Sequence, residues 1–352
     1  MKEATLDRYF HQAVEDDSYL YSVYLELSHA CNFNCVHCYL PKKRVDAHLS
    51  FQEYQGLLDE FLKAELFMVA FTGGEPLLHP DFHAIYQSYK EAGLLVSLMT
   101  NGYLLDKSHF DLFKALPPRS VEVTLYGLEP SVFWASTQTR CEPNRVVENI
   151  RQLRSMGIEV AIKAVMTTLN QHEIKAYREF AESVGAEFRY DVMIHPALNQ
   201  ADDMLKYQVA EEAILETDQL NIPHLLKEPF QLREHRTSNP GKRRFQCGIS
   251  RNSLVVDPEG FVHPCLLYRD YRYNVRKTPF SEVIMKRYPD LKEMTRAMAI
   301  PCDTCSHTSE CDFCEATLLM YQDNPDVIHR YCEITNKRVA FLKELVHDVS
   351  KT

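Results

Sequence analysis

The sequence lacks the long apolar runs that membrane proteins need and the basic excess that nucleic-acid-binding proteins use. Its most apolar uncharged stretch, Ala92–Leu105, has only 14 residues, which is too few to span a bilayer. Met1–Phe10 holds four charged residues and no apolar segment of the secretion-signal type. With 39 basic and 49 acidic residues, the net charge is −10. We therefore expect neither nucleic acid nor a membrane as a partner.

The composition is that of a globular protein with a substantial core. Of the 352 residues, 45% are apolar and 25% are charged, as in ordinary folded domains. The eleven cysteines are odd in number and clustered, which argues against a simple set of disulfide pairs. Without a secretion signal the expected location is the reducing cytoplasm, where clustered thiols more often bind metals or act in catalysis.

Short runs of β-branched and aromatic residues alternate with amphipathic helical segments from about Tyr21 to Pro196. Six runs are predicted as buried strands: Tyr21–Ser28, Phe67–Thr72, Leu94–Thr100, Val121–Gly127, Val160–Thr167 and Glu187–Ile194. Such strand–helix units predict an α/β fold with a parallel sheet and right-handed crossovers. The unit count is compatible with a barrel and with an open doubly wound sheet. In both folds ligands bind at the carboxyl ends of the strands.

The chain changes character after His195. We expect an N-terminal extension at 1–20, the strand–helix domain at 21–196, and a helical or linker segment at 197–246. A small, mostly irregular, cysteine-rich domain at 247–335 and a C-terminal helix at 336–352 follow. Within the cysteine-rich domain, Leu254–Val256 and Phe261–His263 flank a Pro-Glu-Gly turn and predict a hairpin.

Three cysteines follow the first predicted strand with C-x3-C-x2-C spacing: Cys31, Cys35 and Cys38. Three thiolates on one short loop can enclose a compact metal centre. Since a [4Fe–4S] cluster usually takes four thiolates, three would leave one iron open to another ligand. A zinc site is the alternative, although zinc motifs normally pair two close ligands with a distant pair.

The second predicted strand ends in Phe-Thr-Gly-Gly-Glu-Pro at Phe71–Pro76. The absence of side chains at Gly73 and Gly74 is expected to let a ligand approach the backbone, and the Glu75 carboxylate suits an ammonium group. No Lys-Ser/Thr pair follows, which disfavours a phosphate-binding loop. Together with the cysteine loop, this turn predicts a combined metal and ligand site.

With both motifs in place, the sequence resembles the radical S-adenosylmethionine (SAM) enzymes. The resemblance implies a partial (β/α)6 barrel in which Cys31, Cys35 and Cys38 hold a [4Fe–4S] cluster that SAM chelates. It also implies cofactor contacts by Gly73, Gly74, Glu75, Thr100, Asn101 and Thr124, with Lys163 toward the SAM carboxylate. For Lys163, a structural role at an exposed strand end is the alternative.

Seven more cysteines lie between Cys247 and Cys332, too closely spaced for a zinc ribbon. Their pattern resembles SPASM, an auxiliary-cluster extension of radical SAM enzymes. The resemblance assigns Cys302, Cys305, Cys311 and Cys332 to one auxiliary [4Fe–4S] cluster, and Cys247, Cys265 and Cys314 to a second. It thus implies three [4Fe–4S] clusters in all. The second auxiliary cluster lacks a cysteine just upstream of Cys247, so its fourth iron is expected to be open.

Two further residues are candidates for catalysis at the carboxyl ends of the strands. Cys141, the one cysteine outside both motifs, is either a hydrogen-atom donor to a substrate radical or a bystander thiol. Asp191, which ends the sixth predicted strand, is either a base or substrate ligand or a structural polar residue.

The leading functional hypothesis is hydrogen abstraction from a ribosomally synthesised peptide, leading to a cross-link, a thioether or an epimerised residue. A small molecule or tetrapyrrole is the alternative substrate, and a non-catalytic iron–sulfur electron carrier is the alternative class. Sulfatase maturation is disfavoured, because Leu266 stands where those enzymes have an aspartate. We expect a flavodoxin- or ferredoxin-type reductant. A leader peptide would need a separate recognition protein, since the residues before Tyr21 are too few to form one.

Overall fold

Six parallel strands form the centre of the fold. The computed structural model describes residues 20–42, 47–199, 203–220, 252–269, 273–287, 305, 314–321 and 324–349. The strands are β1 (Ser22–Ser28), β2 (Met68–Gly73), β3 (Leu95–Thr100), β4 (Ser120–Thr124), β5 (Val160–Val165) and β6 (Glu187–Asp191). All six predicted strands are confirmed, with small differences at their ends.

The strand order decides between the two α/β folds that the sequence left open. It runs β6-β5-β4-β3-β2-β1-β7-β8, so β1 to β6 follow chain order and all neighbours among them are parallel. A doubly wound sheet would reverse direction at a switch point. The observed order is that of a partial (β/α)6 barrel, as the resemblance implies.

A hairpin extends the sheet beyond β1. Strand β7 (Ser253–Val256) pairs parallel to β1, and β8 (Val262–His263) pairs antiparallel to β7. The hairpin was predicted, but its position beside β1 was not. The consequence for the site is that the segment after β8, with Cys265, starts next to the strand that leads into the first cysteine loop.

Helices cover the outer side of the sheet. They are α1 (Phe51–Lys63), α2 (Phe82–Glu91), α3 (Lys107–Ala115), α4 (Pro130–Thr137), α5 (Pro143–Ser155) and α6 (Ile174–Val184). A capping box begins α1: the Ser50 hydroxyl accepts from the Glu53 N–H, and the Glu53 carboxylate accepts from the Ser50 N–H. A short α8 (Phe280–Glu282) and a π-helical turn (Val283–Arg287) lie further on.

The two sides of the sheet differ in polarity. On the outer side, Phe71 of β2 is fully buried and its ring packs against Phe82, Tyr86 and Tyr89. The inner side carries small and polar residues, such as the hydrogen-bonded pair Ser97 and Ser120. On this side a cavity of about 660 Å³ runs along the amino-terminal half of the strands, lined by small residues together with larger ones such as Tyr24, Met99 and Glu122.

The chain divides into two compact units. The first comprises the described residues of Met1–Tyr207 and Gly248–Lys292, and the second those of Gln208–Cys247 and Glu293–Thr352. The second unit contains α7 (Glu211–Leu220), α9 (Glu315–Met320) and α10 (Pro325–Val349).

Helix α10 begins well before the predicted start at Asn336. Pro325 occupies its first turn, where proline is favoured, and the Asn324 side chain accepts a hydrogen bond from the Val327 N–H (3.4 Å). Within the second unit, the Arg338 guanidinium pairs with the buried Asp218 carboxylate of α7 at 2.7 and 3.0 Å. In the described part of the chain, no helix has the length and apolar character needed to cross a membrane.

Candidate active site

The first cysteine loop lies directly after β1, at the carboxyl end of the parallel strands. Two of its backbone N–H groups donate to the last turn of α4: Asn34 to the Thr137 carbonyl (2.9 Å) and Val36 to the Ser136 carbonyl (3.0 Å). The Phe33 ring packs edge-on against the Phe133 ring at a centroid distance of 5.4 Å. The loop that carries Cys31, Cys35 and Cys38 is therefore held in place from the side by α4.

Several donors point at the thiols of this loop. The Phe33 N–H donates to Cys31 Sγ (3.4 Å), and so does Asn101 Nδ2 (3.8 Å). The Tyr126 hydroxyl lies near the Cys35 thiol, and burial together with the nearby thiols raises the pKa of Tyr126 well above its usual value. Hydrogen bonds to sulfur are one of the means by which proteins tune iron–sulfur clusters.

His37 lies beside the Tyr126 ring. The two rings stack at 5.8 Å with an interplanar angle of 30°, and burial lowers the pKa of His37 to about 4. His37 is therefore neutral at neutral pH. Its geometry is that of a packing residue rather than a base.

The described part of the chain shows no compact single-ion site. Within the described residues, no three His, Cys, Asp or Glu side chains converge closely enough to hold one metal ion. A zinc ion would need its thiolates about 2.3 Å from one point. A four-iron cluster takes one thiolate on each iron, so it fits ligands that stand further apart on a loop of this kind.

The Gly-Gly turn packs against the chain's own backbone. The Gly74 N–H donates to the Ser28 carbonyl (2.7 Å), and a Cβ at Gly74 would lie 2.3 Å from the Ala30 carbonyl oxygen. Gly73 has φ +127° and equally little room. We expected these glycines to admit a ligand to the backbone. The structure shows that they let the β2 turn contact the segment that leads into Cys31. Their contact with a ligand stays a prediction.

Glu75 is completely buried and accepts three hydrogen bonds. Thr100 Oγ1 donates to Oε1 (2.7 Å), the Asn101 N–H to Oε2 (2.8 Å) and the Leu77 N–H to Oε1 (3.2 Å). All three donors are neutral. Burial raises the pKa of Glu75 to about 7, against the lowering effect of these hydrogen bonds. Among the described residues, no cation pairs with this carboxylate.

Asn101 joins the carboxylate to the cysteine loop. While its backbone N–H donates to Glu75, its side-chain amide donates to Asn32 Oδ1 (2.8 Å) and approaches Cys31 Sγ. The predicted residues Cys31, Glu75, Thr100 and Asn101 therefore form one hydrogen-bonded group. Their roles toward a cofactor stay predictions.

Lys163 and Asp191 meet in an ion pair. Lys163 Nζ lies 3.0 Å from Asp191 Oδ2, with both side chains partly exposed. Burial lowers the pKa of Lys163, but Asp191 and Glu122 more than offset this, so the net shift is upward. Thr124 pairs with Lys163 across the β4–β5 ladder. The structure thus brings the candidate residues Lys163 and Asp191 into contact. For Lys163 to bind the SAM carboxylate, or for Asp191 to bind substrate or act as a base, this ion pair would have to be shared or opened.

Cys141 lies between α4 and α5. Its carbonyl accepts a hydrogen bond from Trp134 Nε1 (2.7 Å), and its thiol lies near the Tyr103 hydroxyl. The Tyr103 ring contacts Phe33 of the cysteine loop at 5.6 Å. Cys141 is thus connected to the cysteine loop through one aromatic ring, and its role as a hydrogen-atom donor stays a prediction.

The structure describes four of the seven downstream cysteines. Cys265 belongs to the first unit, whereas Cys305, Cys314 and Cys332 belong to the second. The Tyr268 N–H donates to Cys265 Sγ (3.0 Å), the kind of contact that cluster ligands receive. Cys247, Cys302 and Cys311 lie outside the described residues. The assignment of these seven cysteines to two clusters stays a prediction.

Sequence reasoning missed one buried group at the same end of the barrel. Glu26 of β1 is fully buried and is contacted by His29, Tyr39 and Arg269. The available signal was a single acidic residue within the otherwise apolar or hydroxyl-bearing β1. Its partner Arg269 is 243 positions away, so no local pattern connects the two.

One protein-family model and several known proteins match the sequence of this chain. Residues 25–184 match the Radical SAM superfamily. The antilisterial bacteriocin subtilosin biosynthesis protein AlbA of Bacillus subtilis is 24% identical over 255 residues, covering 69% of this chain and 54% of that protein. A probable GTP 3′,8-cyclase of Sulfolobus acidocaldarius is 30% identical over 238 residues, covering 66% of this chain and 70% of that protein.

A solved structure supports the same fold. Streptococcus suis SuiB bound to its precursor peptide SuiA aligns with a TM-score of 0.65 at 15% identity, covering 90% of this chain and 77% of that chain. At this identity the likeness shows the fold alone. The matched region spans about half the length of the bacteriocin biosynthesis protein, at 54%.

Proposed function

The chain belongs to the radical SAM superfamily, and we propose that it cleaves SAM to abstract a hydrogen atom from a ribosomally synthesised peptide. The observation that carries the proposal is the hydrogen-bonded group of Cys31, Asn101 and Glu75 at the carboxyl ends of β1 to β3. It joins a thiol of the cysteine loop to a buried carboxylate through one residue.

The residues present fit a cluster with SAM bound to it. Three thiols on one loop leave one iron of a [4Fe–4S] cluster without a protein ligand. Glu75 offers a desolvated carboxylate with only neutral partners among the described residues, which suits the SAM ammonium group. When bound, the reduced cluster supplies the electron that splits SAM into methionine and a 5′-deoxyadenosyl radical.

The chain's own residues then position and shield the reacting groups. Asn101 and Thr100 hold the Glu75 carboxylate in one orientation, so that little reorganisation is needed when an ammonium group binds. The rings of Phe33 and His37, within the cysteine loop, pack against the Tyr126 ring. Such a packed group of rings would exclude water from a reactive radical.

Two of the similar proteins support a peptide as the substrate class. AlbA is named for bacteriocin biosynthesis, and the SuiB structure holds a precursor peptide. The downstream cysteines fit the two auxiliary clusters that the SPASM resemblance implies. We further propose that a flavodoxin- or ferredoxin-type protein delivers the electron in the cytoplasm, and that a separate protein recognises the leader of the peptide.

SAM cleavage is the first test. The chain is reconstituted with iron and sulfide under anaerobic conditions and reduced with dithionite, and 5′-deoxyadenosine is measured. We expect formation of 5′-deoxyadenosine that Cys31→Ala abolishes. If wild type retains clusters but forms none, the chain is a non-catalytic electron carrier. If Cys31→Ala still forms it, the catalytic loop is wrongly assigned.

The product decides the bond that is formed. Candidate precursor peptides encoded beside the gene are incubated with the reduced enzyme and SAM and analysed by mass spectrometry. A loss of hydrogen mass indicates a cross-link or thioether, whereas deuterium uptake from deuterated water indicates epimerisation through an exchangeable donor. For epimerisation, Cys141→Ala should abolish the uptake while SAM cleavage persists.

A small-molecule substrate is the second candidate. It is favoured by the 30% identity to a probable GTP 3′,8-cyclase. GTP itself is the probe: SAM-dependent consumption of GTP would support this candidate. No GTP turnover, with modification of a peptide, would support the first.

A further inference from the structure

A buried carboxylate in β1 receives four donors. Glu26 lies two residues beyond Tyr24, which lines the inner cavity, so strand alternation places it on the same inner side. Oε1 accepts from Tyr39 Oη (3.0 Å) and Arg269 Nη2 (2.8 Å), and Oε2 from Arg269 Nη1 (2.8 Å) and faces His29 Nε2 (3.3 Å). Both oxygens are therefore fully used within the protein.

Arg269 contributes a two-pronged ion pair in a dry environment. Its side chain is 7% exposed and that of Glu26 is 0% exposed. Burial by itself raises the pKa of Glu26, but Arg269 and its hydrogen bonds more than offset this and hold the pKa at about 2. A parallel fork of this kind fixes orientation as well as charge.

The four residues connect two cysteine segments. His29 lies two positions before Cys31 and Tyr39 directly after Cys38, so Glu26 contacts both ends of the first cysteine loop. Arg269 lies four positions after Cys265, and the Tyr268 N–H between them donates to Cys265 Sγ. All of these residues belong to the first compact unit.

We propose that Glu26 and Arg269 are positioning residues that fix the register of the Cys265 segment, meaning its position relative to the first cysteine loop. The pair also keeps the buried charge beside that loop neutral overall. The inference rests on the proposed function in one respect, namely that these cysteines ligate clusters. The register itself depends only on the contacts of this chain.

The chain provides a matched control. Arg276 pairs with Glu53 of α1 through a similar fork, but the two side chains are 44% and 33% exposed. Arg276→Gln therefore removes an arginine–glutamate pair from the same part of the chain without leaving a buried charge. It should have little effect on either cysteine segment.

Hydrogen–deuterium exchange of the reconstituted 352-residue chain tests the register. Arg269→Gln and Glu26→Gln should each speed exchange in both 29–39 and 262–269, on the order of 100-fold, because breaking a buried pair by removing one partner is strongly destabilising. Arg276→Gln should leave both segments as in wild type. If Arg269→Gln speeds exchange only in its own segment, the proposal is wrong.

Two further measurements test the geometry of the fork and the charge balance of the pair. Arg269→Lys keeps the charge and loses the fork, so its exchange should lie between wild type and Arg269→Gln; wild-type exchange in this variant overturns the fork's role even if Arg269→Gln does not fold. In Glu26→Gln the remaining guanidinium should raise the reduction potential of the iron–sulfur centres, as measured by a redox titration followed by electron paramagnetic resonance. An unchanged or lower potential contradicts the proposal.

The outcomes distinguish this inference from the proposed function. Absence of 5′-deoxyadenosine would refute SAM cleavage and would leave the exchange result valid. Absence of iron at Cys265 would refute the auxiliary cluster, and exchange would still report whether the two segments are linked.

Discussion

Two buried carboxylates at the carboxyl ends of neighbouring strands behave in opposite ways. Glu26 in β1 and Glu75 after β2 are both 0% exposed. Glu26 faces a guanidinium and has a pKa of about 2, whereas Glu75 has only neutral donors and a pKa of about 7. Since burial raises the pKa in both, the presence of a countercharge decides the outcome.

We propose that this difference separates a structural site at Glu26 from a ligand-binding site at Glu75. The charge of Glu26 is satisfied within the chain, so Glu26 can hold other segments in place. The charge of Glu75 lacks a cation among the described residues, so a bound ammonium group would gain a desolvated partner. The predictions that follow test this contrast, in order of decreasing effect.

The largest effect is expected when Glu26 loses its countercharge. Arg269→Gln should lower the free energy of unfolding by about 3–5 kcal/mol, because it leaves a buried carboxylate uncompensated. Chemical denaturation measures this. Combining Glu26→Gln with Arg269→Met removes both charges and should recover most of the loss. A double variant as unstable as the single one would mean that packing, not charge, is responsible.

The pH dependence should have opposite signs for the two carboxylates. Glu75 has its folded pKa raised from 4.5 to about 7, so its contribution to stability is complete below 4.5 and is lost as pH rises to about 7, by about 3 kcal/mol. Glu26 has its pKa lowered from 4.5 to about 2, so its contribution is complete above 4.5 and is lost as pH falls.

Denaturation across this pH range provides the measurement. Relative to wild type, Glu75→Gln should become more stable as pH rises from about 4.5 to about 7, while Glu26→Gln should show no such gain. Parallel profiles for the two variants would contradict the contrast.

Loss of the Glu75 charge should weaken SAM binding. Glu75→Gln keeps the shape and should lower the affinity for SAM by about 10–100-fold, the value of a hydrogen bond to a charged group, as measured by equilibrium dialysis with the reconstituted protein. Glu173→Gln is the control. Glu173 is also buried and accepts from the Leu128 and Glu129 N–H groups and the Tyr177 hydroxyl. Equal effects of both variants would contradict an ammonium site at Glu75.

The smallest effect is expected at the exposed pair. Arg276→Gln should cost less than about 1 kcal/mol of unfolding free energy, because Glu53 and Arg276 remain partly hydrated, and added salt should reduce even that cost. Denaturation at low and high salt measures it. A loss as large as that of Arg269→Gln would show that exposure does not separate the two pairs.

Much of the fold followed from local patterns. The period of the apolar residues located all six barrel strands. Strand β4 ends at Thr124 rather than at the predicted Gly127, because the chain there turns into α4. A Cβ at Gly127 would lie 2.4 Å from the Phe133 nitrogen, so this glycine serves a close contact and not a strand.

The sequence by itself determined the cysteine loop, the Gly-Gly-Glu turn and the parallel strand–helix order, because each is encoded within a few consecutive residues or one helical period. Only the tertiary structure decided why Gly73 and Gly74 are glycines, that Lys163 meets Asp191, and which buried carboxylate has a countercharge. Arg269 reaches Glu26 across 243 positions. Such a pairing depends on the hairpin that docks beside β1, and no local pattern in the chain specifies that neighbour.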